Sequence, residues 1–78
     1  MDKIIINQDE FLVTIFLSLT LTTAYYLGIT LEGKRIVYEY IRDTGKCEFL
    51  LDLDSATPPA DVLPKEIVEA LVFLGYLK

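Results

Sequence analysis

At 78 residues the chain has room for one small domain, and 53% hydrophobic residues at a mean hydropathy of +0.41 leave more apolar surface than one small core hides. A net charge of −5, from 12 acidic and 7 basic side chains, disfavours nucleic-acid binding driven by phosphates, yet falls short of the acidic density of a DNA mimic. One cysteine and no histidine exclude an internal disulfide, leave any zinc site to carboxylates alone, and suit a reducing, cytoplasmic compartment.

Ile4, Ile5 and Ile6 read as an edge strand or as the lead-in to a helix. A secretory signal is not expected, because Asp9 and Glu10 precede the apolar run where positive charge belongs. Residues 11–31, FLVTIFLSLTLTTAYYLGITL, carry no charge and are the most apolar stretch of the chain. Asn7 is a good N-cap with Glu10 at the capping-box position, Ile6 and Phe11 are spaced as a hydrophobic staple, and Gly28 falls where a helix C-terminus wants it. These end signals predict a helix over residues 8–27. The interior also supports a second reading, since odd positions from Phe11 to Leu27 are mostly large and apolar while Thr14, Ser18, Thr20, Thr22 and Ala24 alternate with them, as in a strand. No Gly, Pro, Asn or Asp interrupts that alternation, and a strand of such length is exceptional, so the helix is preferred.

Residues 35–42, RIVYEYIR, are the clearest strand signal, and 47–53 return after a Thr44–Gly45 turn. A two-residue turn sets Asp43 opposite Lys46 and Tyr40 opposite Phe49. Ile36, Tyr38, Tyr40, Cys47, Phe49, Leu51 and Leu53 then face the core, with Glu39, Glu48 and Asp52 on a solvated face. Residues 54–63 read as an extended linker around Pro58 and Pro59, and residues 64–74 as a second helix stopped by Gly75, with Ile67, Val68, Leu71, Val72 and Leu74 as its buried stripe. The expected architecture is therefore α+β: a long apolar N-terminal helix, an antiparallel hairpin and a short C-terminal helix in one domain, 1–78. The alternative makes the N-terminal half β, giving a four-stranded meander plus the C-terminal helix.

No residue pattern carries identifiable chemistry. Cys47 lacks a histidine base, and its strand parity points it inward as a structural thiol. Glu39, Glu48 and Asp52 could in principle form a carboxylate site, but a solvated sheet face accounts for them. Lys34 and Arg35 lie at one end of the hairpin and Arg42 and Lys46 at the other, so they form no phosphate site. No catalytic, cofactor-binding or metal-binding residue is expected, and the chain is not expected to be an enzyme. Partner contact falls to Tyr25, Tyr26, Leu19, Tyr38 and Tyr40, because tyrosine joins a rigid apolar ring to a polar tip. Core packing accounts for Tyr38 and Tyr40 equally well.

The functional expectation is a small interaction module, acting as a regulator, inhibitor or accessory subunit and homodimeric through its apolar first helix. Leu19→Asp should then abolish soluble expression by burying a charge in that helix. The alternative is a single-span membrane protein with its N-terminus outside, its span formed by residues 11–31 and its hairpin and second helix in the cytoplasm.

Overall fold

The computed structural model describes residues 5–78. Asp2, Lys3 and Ile4, which entered the readings of the N-terminus, lie outside them. The predicted N-terminal helix is replaced by two strands. A single 3-10 turn, Gln8–Glu10, leads into β1, Phe11–Leu19, which returns as β2, Thr23–Thr30. With β3, Arg35–Ile41, and β4, Lys46–Asp52, they form an antiparallel meander in the order β1-β2-β3-β4. The short helix α1, Pro59–Val62, and the amphipathic helix α2, Lys65–Phe73, complete the chain. This is the alternative architecture read from the sequence.

The end signals of the expected helix exist but serve other structures. Asn7 does cap, its side chain accepting from the Asp9 N–H at 3.0 Å, and the cap closes only the 3-10 turn. Gly28 lies inside β2, not past a helix end. The turn missing from the sequence reading is made by threonine hydroxyls. Thr20 Oγ1 accepts from the N–H of Thr23 at 3.0 Å and of Thr22 at 3.4 Å, and the Thr20 N–H donates to the Thr23 carbonyl at 2.7 Å. Side-chain oxygens thus supply locally the bonds that Asn or Asp usually brings to a turn. Once the chain is broken there, the period-two alternation of two ordinary strands outweighs an isolated cap.

The β3–β4 hairpin also differs from expectation. Its loop spans residues 42–45, with Gly45 at φ +71°, a conformation that disfavours side chains bearing a Cβ. Ile41 therefore pairs with Lys46, Tyr40 with Cys47 and Tyr38 with Phe49, a slip of two residues that preserves which side chains share a face. A register shift at Val37/Tyr38 then turns Leu51 to the opposite face, opposite Val37.

That shift decides where the core lies. Leu27, Val37 and Leu51 meet Leu63, Ile67 and Leu71 in one buried cluster, which α1 and α2 cover. Each such aliphatic side chain contributes roughly 1.5–3 kcal/mol by leaving water. The helices thus pack on the face that also carries Glu39 and Glu48, the reverse of the predicted arrangement, and Glu48 is only 8% exposed. Within α2, Ile67 and Leu71 are buried as expected, while Val72, and Leu74 just past the helix, are each 44% exposed. The expected extended linker contains α1. At the other end of α2 the Tyr76 N–H returns to the Leu71 carbonyl at 2.9 Å, closing the helix at Gly75.

The opposite face is closed by the chain's own beginning. The Ile6 N–H donates to the Cys47 carbonyl at 2.9 Å and Ile5 bridges Glu48, so this segment adds to the outer edge of β4. From there residues 7–10 carry the chain to β1 at the far edge of the sheet, and on the way Gln8 Nε2 donates to Cys47 Sγ. Phe11 lies over Gly28, where a Cβ would come within 2.6 Å of its ring. Its ring stacks on Tyr38 with centroids 5.2 Å apart and planes 7° off parallel. Tyr38 stacks in turn on Tyr26 at 5.6 Å, and Phe16 meets Tyr26 edge-on at 5.7 Å. This second, aromatic core exists because Gly28 leaves room for the ring of the residue that opens β1.

Candidate interaction surface

The uncharged stretch that dominates the sequence forms the open edge of the sheet. β1 bonds to β2 on one side, and no strand among the described residues takes its other side. Leu12 is 69% exposed, Leu19 57%, and Leu21, at the tip of the β1–β2 turn, 95%; Val13 and Phe16 are about half exposed. On α2, which lies chiefly against β1, Phe73 is 89% exposed. An apolar edge strand without charge or proline is a template for another strand, because its outward N–H and C=O groups and its side chains are both available.

Two features limit that template. Register shifts in the β1–β2 pairing fall between Phe11 and Val13 and between Phe16 and Ser18, making Leu12 and Leu17 the extra residues of two bulges. Residues 13–16 lie between them as the regular part of the strand, and the bulges sharpen the twist at either end.

The five residues singled out from the sequence are divided by the fold. Tyr25 lies on the helix-covered face, half buried against the aliphatic cluster. Tyr26, Tyr38 and Tyr40 lie on the aromatic face, where Tyr38 is fully enclosed and belongs to the core. Leu19 is at the open edge beside Ala24. An aspartate at Leu19 would meet water, so that substitution does not probe the core and is expected to change stability by less than about 0.5 kcal/mol. Sequence reasoning missed Leu12, Val13, Phe16 and Leu21, although the period-two alternation through residues 11–24 was the signal that exposes them.

The remaining polar chemistry serves the fold. Burial pushes the Tyr38 phenol above its ordinary pKa, partly opposed by a hydrogen bond with Thr14. Arg35 Nη2 donates to Asp54 Oδ1 at 2.7 Å, and this bond holds the Asp54 carboxyl below its ordinary value. Arg42 lies at the opposite end of β3 from Lys34 and Arg35, with its Nη1 3.4 Å from the Leu21 carbonyl, so the basic residues do not converge. Cys47 is buried on the aromatic face. No group of three or more metal-ligating side chains comes together among the described residues. The helix expected to form a span over residues 11–31 is replaced by β1, β2 and their turn, with Leu31 in the turn that follows, and no described helix is long and apolar enough to cross a membrane. Comparison of the chain with protein-family models, with curated proteins and with solved structures finds no match.

Proposed function

We propose that the chain is a small cytoplasmic protein-interaction module, acting as a regulator, inhibitor or accessory subunit through the β1 edge. The observation that carries this reading is the nine-residue uncharged strand Phe11–Leu19, open along one side and bearing exposed Leu12 and Leu19. Leaving such an edge in water is costly and invites aggregation, so natural sheets usually protect theirs with charge, proline or a covering segment. Here Ile5 and Ile6 cover the β4 edge at Cys47 and Glu48, while no described segment covers β1. An edge left bare beside one that is covered is best accounted for by a partner that occupies it.

The test is a photo-cross-linking amino acid at Leu12, introduced into the full chain in its native cell, with the same group at exposed Leu31 as control. Leu31 lies in the β2–β3 turn, away from the middle of the β1 edge. A discrete protein adduct at Leu12 and not at Leu31 is expected. Equal, diffuse labelling at both positions would refute a specific interaction edge.

A further inference from the structure

We infer that the occupant of the β1 edge is β1 of a second copy, paired antiparallel about a two-fold axis at Thr14, so that two meanders join into one eight-stranded sheet. This rests on the reading of β1 as an interaction edge and adds the identity of the partner.

Charge is the first argument. Two copies carrying −5 each repel, and an interface between them must form where neither presents charge. Residues 11–31 are that place, and β1 is the part with an open hydrogen-bonding edge.

Geometry is the second. A two-fold axis perpendicular to the sheet runs the two strands antiparallel and keeps equivalent faces on the same side. With the axis at Thr14, that residue faces its own equivalent and Val13 faces Ile15 of the second copy, a stretch that lies between the bulges at Leu12 and Leu17. Val13 thus meets Ile15 on one face and Thr14 meets Thr14 on the other, the β-branched pairing that stabilises neighbouring strands.

Area is the third. Leu12, Val13, Phe16, Leu19 and Leu21 are each about half exposed or more, so the open edge leaves apolar surface in water that pairing would cover. The same axis brings the two α2 helices onto one face of the joint sheet. Val72 and Phe73, exposed on those helices, add apolar surface on the same side.

The covered β4 edge supplies the last argument. Pairing of β1 with β1 is isologous and closes after two, and Ile5 and Ile6 block the β4 edge to further copies at Cys47 and Glu48.

The test is sedimentation equilibrium of the full chain from low to high micromolar concentration, run on the wild type and on Val13→Lys and Leu12→Lys, with circular dichroism to confirm that each variant keeps its sheet. The expected result is a wild-type mass of about twice 8.9 kDa, with association weakened at least about tenfold in both variants by like charge at the axis. Oxidative cross-linking gives an independent measurement that leaves the edge apolar: Thr14→Cys should form a disulfide-linked dimer, and Leu31→Cys should not. A monomeric wild type, or a dimer that survives both lysines and fails to cross-link through position 14, overturns the two-fold pairing. A monomeric wild type that still gives a Leu12 adduct with a different protein overturns only the identity of the partner, whereas diffuse labelling at Leu12 and Leu31 overturns the edge reading itself.

Discussion

Gly28 and Phe11 form a pair whose coupling tests the aromatic core. Gly28→Ala places a methyl group within 2.6–2.7 Å of three Phe11 ring atoms, well inside van der Waals contact. The ring must move, which strains it or loosens its stack on Tyr38. Overpacking of this kind costs about 1–3 kcal/mol. Gly28 lies in the middle of β2 without a positive φ, and at such a position alanine is otherwise better than glycine by about 0.5–1 kcal/mol. The two effects separate in a double-mutant cycle with Phe11→Ala. In the wild-type background Gly28→Ala should destabilise, and in the Phe11→Ala background, where nothing occupies the space, it should stabilise. The backbone gain is common to both backgrounds and cancels, so the coupling energy is the overpacking cost itself, about 1–3 kcal/mol. Urea unfolding followed by far-ultraviolet circular dichroism measures all four corners of the cycle. The same destabilisation by Gly28→Ala in both backgrounds would show that Phe11 does not lie over this glycine and would refute the packing described for this face.

Two further predictions concern pH. Burial raises the pKa of Tyr38 in the folded protein, so its contribution to stability is complete below the ordinary phenol value of about 10 and is lost as pH rises toward the folded value. Tyr38→Phe should therefore lose less stability than wild type between neutral and strongly alkaline solution in urea titrations, and parallel losses would contradict the assignment. Asp54 has a lowered pKa, so its stabilising contribution is present above the ordinary carboxylate value and disappears as pH falls through the folded one. Asp54→Asn should melt below wild type at neutral pH and converge with it in acid; a constant difference would rule out the Arg35 pair as the cause.

The parts of the fold that follow from neighbouring residues were legible in the sequence. β3 and β4 declared themselves through Ile36 to Ile41 and Cys47 to Leu51, and α2 through Ile67 and Leu71 between Pro64 and Gly75. β1 and β2 were legible only as an alternative. Their alternation was visible, but the break between them depends on what the Thr20 hydroxyl bonds to, and a threonine carries no signal that distinguishes a turn from a strand. The Asn7 cap could not show whether three residues or twenty would follow it. Which face of the hairpin meets the helices turned on the shift beside Tyr38, because one extra residue in β4 exchanges the faces beyond it. The candidate edge remained hidden for the same reason as β1: an uncharged run reads as buried until the strand order shows that it lies outermost.

The segment joining the two edges of the sheet also orders events during synthesis. Successive strands of the meander are neighbours, so each hairpin can form as soon as its second strand leaves the ribosome. Ile5, Ile6 and Gln8 are made before their partners Cys47 and Glu48, which arrive about forty residues later. The beginning of the chain must wait for β4, and until it docks the β4 edge is as bare as β1. The nascent protein therefore passes through a stage with two open edges, and docking of the N-terminal segment reduces them to one.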